Sequence, residues 1–384
     1  MMLGTITNPW LFPWTYHVGP FQLPYSIWSL TGLRVGFDVR PQNFPTPRAA
    51  WAESIMARDL LLCVGLATSP ANAPTDLAAW GFLIEHAQSL RPSFGQLRAV
   101  DAVDGWDSRI KGLFAERMGM GTCAWLLWRR FNVVHIADAG PFIGRALQDP
   151  SNPFHRRGLQ SLGLHGKNGG YKPDYFCLTH DSEAVIAESK GAIGPPSAVS
   201  RNERAKAKDQ VQNVEPTGIR VRQSLGRLTF SMNIRLENDR VRHGADTSID
   251  VEDPKGEDDA APIPLSSDEL VLHSYCKVLQ FFGLGFLAHA LRAGLHPLMN
   301  IDLAGEFVET IANEKVVFLT GLGGVRLGLH FGICKELFIG GVDGLAERVE
   351  SARNEASLLL EAEHFSSDEV TVLPNGVVAL WNQR

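Results

Sequence analysis

Two carboxylates and an ammonium are spaced in this chain as metal-assisted phosphodiester hydrolysis would require: Lys172-Pro173-Asp174, then thirteen residues, then Glu188-Ser189-Lys190-Gly191. The residues between, Tyr175 to Ala187, read as two short strands, YFCLT and AVIAE, around the polar turn His180-Asp181-Ser182-Glu183. Asp181 lies midway between Asp174 and Glu188. A hairpin turning there makes the two carboxylates cross-strand neighbours to within one residue of register. Alternation along the strand then puts Lys190 on the same side as Glu188 and turns Ser189 away. Like charges opposite each other are destabilising, and buried carboxylates must be paired or bound to metal. A divalent cation resolves the conflict. Mg²⁺, with Mn²⁺ as the alternative, is held by one or two carboxylates plus waters and phosphate oxygens. Lys190 would position or activate the attacking water and offset phosphate charge. The bland alternative is a surface hairpin carrying a weak exposed Glu–Lys pair.

Elements on either side must hold that hairpin. Trp106 to Phe131 reads as a helix in which Ile110, Leu113, Phe114, Trp125, Leu126 and Trp128 form much of an apolar surface. Gly119 and Gly121 within it imply close backbone packing, because glycine otherwise weakens a helix. Asn132 to Ala137 (NVVHIA) supplies a β-branched strand. Downstream, Arg201 to Val214 is rich in helix formers, with Ser200 as its N-cap. Lys206 and Gln210, four apart, share one face of it. Gly226 to Ile234 (GRLTFSMNI) closes the unit as a further strand.

The segment from about Trp106 to Ile234, a third of the chain, resembles the PD-(D/E)xK nuclease superfamily, with Pro173-Asp174 and Glu188-Ser189-Lys190 matching its signature. The resemblance implies a restriction-endonuclease-like α/β core running helix, three strands, helix, strand. It implies that Glu116 on the first helix completes the metal shell begun by Asp174 and Glu188. It also implies that a residue of the second helix, Gln210 or Lys206, orients the scissile phosphate or the water. DNA is the substrate it favours over RNA, within a bacterial restriction or anti-phage assembly that has protein partners or a second copy of the chain. A noncatalytic scaffold of the same fold is the rival, and it predicts a degraded catalytic set.

Charge supports a nucleic-acid partner only locally. The chain has a formal net charge of -6, which argues against bulk electrostatic coating of nucleic acid. From Ser189 to Arg235, however, nine bases face three acids. Arg204, Lys206 and Lys208 there, with Lys172, form a candidate backbone-binding track. The next stretch, Leu236 to Glu269, reverses the balance, with eleven acids and three bases. Its middle, DTSIDVEDPKGEDDAAPIP, reads as a flexible acidic loop or linker spanning 236–267.

The 384 residues, 45% of them hydrophobic, suffice for two or three units. The expected division is 1–105, a mainly helical accessory region with helices over Pro47 to Leu66 and Asp76 to Leu90; 106–235, the nuclease-like core; and 268–384, an α+β region. In the last, Ser266 and Glu269 form a capping box for a long helix over Leu270 to Leu295. EKVVFLTG and GVRLGLHFGI read as strands, Val342 to Ala362 as a helix, and Pro374-Asn375-Gly376 as a hairpin turn. Gly321-Leu322-Gly323-Gly324 lacks the spacing of a phosphate loop and reads as a turn. No apolar run reaches the roughly 18 residues of a membrane span. The five cysteines lack zinc-site spacing, and the chain begins without the pattern of a secretion signal, so the expected setting is the cytoplasm.

Overall fold

A computed structural model describes residues 33–69, 86–87, 89–93, 95–148, 172–194, 198–239, 246–256, 260–294, 308–311, 313–322, 325–339, 341–355 and 370–381. The chain is mixed α/β. Its first described elements are strands β1 (Arg34–Gln42) and β2 (Trp51–Met56), which pair antiparallel and lead directly into helix α1 (Ala57–Thr68). Strands β3 (Leu90–Ser93) and β4 (Gln96–Ala99) form a second hairpin. The described residues of this region thus include four strands beside helix α1. The helix read over Pro47 to Leu66 is a strand and then a helix, and most of Asp76 to Leu90 lies outside the described residues.

Helix α2 (Ser108–Arg130) follows, capped by the Asp107 carboxylate, which accepts the Arg109 N–H at 2.9 Å. Next come strand β5 (Val133–Asp138), helix α3 (Gly140–Gln148), and strands β6 (Tyr175–Thr179) and β7 (Ala184–Ile193). Strands β5, β6 and β7 form an antiparallel meander. Helix α4 (Arg201–Gln212) begins at the full capping box of Ser200 and Glu203. After the short β8 (Val214–Thr217), strand β9 (Arg227–Leu236) runs parallel to β7. The order helix, three strands, helix, strand is thus present between residues 108 and 236, with α3 and β8 as additions.

Alternation on β9 explains the two layers that cover the sheet. Leu228, Phe230, Met232 and Ile234 lie on the face of α2, where Thr122 Oγ1 reaches Met232 Sδ at 3.2 Å. Thr229, Ser231 and Asn233 lie on the other face, where the Val199 N–H before α4 donates to Asn233 Oδ1 at 3.1 Å. Both glycines of α2 are contact points. A Cβ on Gly119 would crowd Ser189 and Lys190 of β7, and one on Gly121 would overlap Val64 of α1. Ile110 and Leu113, read as part of the apolar surface, stay exposed.

The expected acidic linker contains a central strand. Strand β10 (Ser248–Glu252) is buried throughout and lies between β9, antiparallel, and β1, parallel. Ile249 and Val251 enter the apolar layer, while Asp250 and Glu252 face α4 and pair with its cations. Alternation under a covering of opposite charge, invisible in the composition, makes an acid-rich segment a strand. Strand β11 (Ala261–Pro264) then pairs with β8. The full sheet runs β3-β4-β1-β10-β9-β7-β6-β5, with β2 on β1.

Helix α5 (Ser267–Phe281) has the expected capping box, but the long helix breaks at Gly283, φ 78°, and resumes as α6 (Gly285–Arg292). A second, antiparallel sheet orders β12 (Val308–Ile311), β13 (Glu314–Leu322), β14 (Val325–His330), β16 (Val377–Trp381) and β15 (Val370–Val372). The stretch read as one strand to Ile333 turns after His330 into helix α7 (Phe331–Ile339), and helix α8 (Leu345–Glu355) follows. Leu322 faces Val325 across the β13–β14 pair, while Gly323 and Gly324 lie outside the described residues, and Gly376, φ 78°, closes the hairpin at Pro374. One apolar cluster reaches from Val35 to Trp381 across all the regions that the sequence separates.

Candidate active site

Hairpin β6–β7 has the register the spacing requires. Tyr175 faces Ala187, Phe176 faces Ile186 and Cys177 faces Val185. One step further out, the Ser189 N–H donates to Asp174 Oδ2 at 2.9 Å, which fixes Asp174 beside Glu188. The Ala139 N–H holds the Asp174 carbonyl at 2.9 Å from the other flank. Gln210 of α4 donates through Nε2 to the Lys172 carbonyl, so it braces the Lys172-Pro173-Asp174 corner.

Glu188 is fully buried (0% exposed). Its Oε1 accepts from Lys190 Nζ, while Oε2 has no partner among the described residues. Burial pushes the Glu188 carboxyl well above its ordinary range; Asp174 adds to the effect and Lys190 opposes it. Burial likewise raises Asp174 to about 6 against the pull of Lys190 and the Ser189 N–H. Burial disfavours the charge on Lys190, but Glu188 and Asp174 outweigh it and raise the ammonium's pKa. Two carboxylates at elevated pKa beside one held cation form a site with affinity for a further positive charge.

Glu116 comes to the rim of this group. Gly191 of β7 lies so close to α2 that a Cβ there would overlap the Ala115 carbonyl, which brings the Glu116 backbone to the strand. The Glu116 side chain is exposed, and its charge raises the pKa of both Asp174 and Lys190. Among the described residues no three His, Cys, Asp or Glu side chains gather as a metal-holding group. The donors that fit a cation are Asp174 and the partnerless Oε2 of Glu188, leaving the remaining positions to water and substrate oxygens.

The basic track is largely neutralised from within. Arg204 pairs with Asp250 at 2.7 Å and Lys208 with Glu252 at 2.5 Å, both on β10. Their charges hold α4 on the sheet, a use that differs from the expected one. Lys206 is exposed on α4, and Lys172 is partly buried beside the site. His180 is exposed at the turn, where it meets Glu350 and Arg353 of α8.

Two charged residues escaped the sequence reading. Lys277 of α5 is buried, pairs with Asp138 at the end of β5, and lies 5.1 Å from the centroid of the Tyr175 ring. Its charge lowers the pKa of the adjacent Asp174. The available signal was a lysine inside an apolar helix, which requires a partner when buried. Among the described residues no helix is long and apolar enough to cross a membrane. Comparison with family models, curated proteins and solved structures finds no match to the chain.

Proposed function

We propose that this chain is a metal-dependent nuclease with a restriction-endonuclease-like core of the PD-(D/E)xK kind, hydrolysing phosphodiester bonds in DNA. The observation that carries the reading is the meeting of Asp174, Glu188 and Lys190 at one end of β6–β7, with Glu188 Oε2 buried and free to accept. The element order around them supports it. Asp174 and Glu188 would hold Mg²⁺ or Mn²⁺, with Glu116 at the rim. The bound cation supplies Lewis acidity and a water of lowered pKa. Lys190, protonated and on the face of Glu188, donates to the water or to a phosphate oxygen. Gln210 keeps the Asp174 corner in place rather than touching the phosphate. RNA is the alternative substrate, and membership of a restriction or anti-phage assembly follows from the resemblance alone.

The second reading is a noncatalytic subunit of the same fold. It is favoured by the internal pairing of Arg204 and Lys208, which leaves fewer cations for a phosphate backbone. Plasmid, single-stranded DNA and RNA, each incubated with purified protein in Mg²⁺, Mn²⁺ or chelator, separate the two. Cleavage dependent on the metal and lost in Glu188→Gln is the expected result. No cleavage of any substrate by the wild type selects the subunit reading.

A further inference from the structure

Helix α5 belongs to the carboxy-terminal region, yet it reaches the corner that holds Asp174. Among the described residues the large sheet ends at β5, and α5 packs beside that strand. Ser274 Oγ accepts the Ile136 N–H at 3.3 Å, and three residues on, Lys277 pairs with the Asp138 carboxylate. Ile136 and Asp138 recur along the strand as Ser274 and Lys277 recur along the helix, so the two contacts fix one register between them.

Lys277 thereby touches both strands that carry the Asp174 corner. Asp138 stands opposite Tyr175 in the β5–β6 register, and Tyr175 directly follows Asp174. The Lys277 ammonium lies 5.1 Å from the centroid of the Tyr175 ring. Ala139, next after Asp138, donates its N–H to the Asp174 carbonyl at 2.9 Å. An ion pair, one peptide and one hydrogen bond thus lead without a gap from Lys277 to Asp174, and the charge of Lys277 extends to the Asp174 carboxylate.

Stability alone does not account for a buried lysine here. Leu270, Val271, Tyr275, Val278, Leu279 and Phe281 already set α5 into the apolar cluster. A buried ion pair loses hydration and stabilises no better than apolar side chains of similar volume. What it adds is direction, because the carboxylate and the peptide after it are held in one place. Groups that hold a metal ligand from behind in this way orient it, and removing them costs about 10–100-fold in metal affinity.

We propose that Lys277 is a positioning residue of the candidate metal site: paired with Asp138, it sets the peptide that holds Asp174. The proposal rests on the reading of Asp174 and Glu188 as metal ligands. It makes α5 part of the site's support, so that residues 106–235 are incomplete without the carboxy-terminal region.

The test titrates Mn²⁺ alone into the full chain by calorimetry and reads folding from the thermal midpoint in chelator. Asp138→Asn combined with Lys277→Met removes two opposite charges, so net charge near the site is unchanged and electrostatics alone predicts wild-type affinity. The expected result is a midpoint close to that of the wild type, with Mn²⁺ bound about tenfold more weakly. Lys277→Arg can still pair with Asp138, and Lys277 borders a cavity of about 20 Å³ that gives the larger head room. It should stay within about threefold of wild type, since arginine pairs readily with a carboxylate. Asp138→Asn alone, at a side chain 27% exposed, should lose at least as much affinity as the double variant, because the two residues act as one pair. Should the double variant not fold, these two single variants decide. Wild-type affinity in the double variant or in Asp138→Asn, or a Lys277→Arg variant as weak as the double, overturns the proposal. Glu188→Gln in the same titration keeps the two readings apart. If the wild type binds no Mn²⁺, or Glu188→Gln binds it equally well, the metal-site reading falls and this proposal with it. If Glu188→Gln loses binding while the double variant does not, only the role of Lys277 falls.

Discussion

Glu188 concentrates the consequences of the site in one side chain, because it is fully buried, has one oxygen without a partner and stands beside a second carboxylate. Glu188→Gln removes the like-charge conflict while keeping the shape. If the proposed function holds and Glu188 ligates the metal, cleavage should fall by at least about 100-fold, with the metal-free melting temperature unchanged or raised. Activity within a few-fold of wild type, measured in Mg²⁺, would remove Glu188 from the chemistry. Asp174 gives a complementary pH signature. Its carboxyl is raised from 3.8 to about 6 in the folded chain, so the folded state holds the proton more tightly than the unfolded one. The sign follows from linkage. Stability from this group is present below pH 4 and is lost as the pH rises through 6, by at most about 3 kcal/mol. In chelator, the difference in stability between Asp174→Asn and wild type should therefore shift in the variant's favour from pH 4 to pH 7. A difference that stays constant over that range would mean that Asp174 ionises as an ordinary surface carboxylate. These residues were legible in the sequence because strand alternation and hairpin symmetry are local rules. Lys277 and Asp138 were not, since their pairing spans 139 positions and no local rule joins them.

Element boundaries were readable where they rest on local chemistry and unreadable where they rest on distant partners. Ser200 and Ser266 cap their helices as their side chains allow, and the glycines of α2 mark real contacts. Strand β10 is the counter-example. Its acids suggest a solvated linker until Arg204 and Lys208 arrive from another element to pair with Asp250 and Glu252. The resulting expectation is the opposite of the one composition gives. Replacing residues 246–264 by a short Gly/Ser linker removes the strand between β1 and β9 and exposes both edges. The product should show no cooperative thermal transition by circular dichroism; a retained transition near the wild-type midpoint would mean that the two halves of the sheet are independent. Gly191→Ala probes the other layer. Its methyl would enter the Ala115 carbonyl of α2, so urea denaturation should show a loss of about 3 kcal/mol, the upper end of ordinary overpacking. A cost below about 0.5 kcal/mol would show that α2 moves away freely.

At the scale of the whole molecule, the regions that composition separates share one apolar cluster, because β1 and β10 place the amino-terminal and acidic segments inside the same sheet as the hairpin. Divisions at 105, 236 and 268 followed changes in charge and aromatic content, which report surface rather than core. That architecture also bears on which cations would be open to a phosphate backbone under the proposed function. Arg204 is held against a buried acid, whereas Lys206 is exposed on the same helix. Reversing them should therefore separate folding from binding. Arg204→Glu places a second negative charge beside Asp250 and should lower stability by roughly 3–5 kcal/mol, the cost of breaking a buried pair. Lys206→Glu should leave stability within about 0.5 kcal/mol. It should also weaken nucleic-acid affinity for every sequence alike and reduce the slope of log affinity against log salt by about 0.9 for each phosphate that the variant no longer neutralises. The affinities are to be measured by fluorescence anisotropy at several salt concentrations in Ca²⁺ or chelator, where cleavage does not consume the probe. An unchanged slope in Lys206→Glu, with the fold intact, would place the backbone track away from α4 and leave the helix only its structural role.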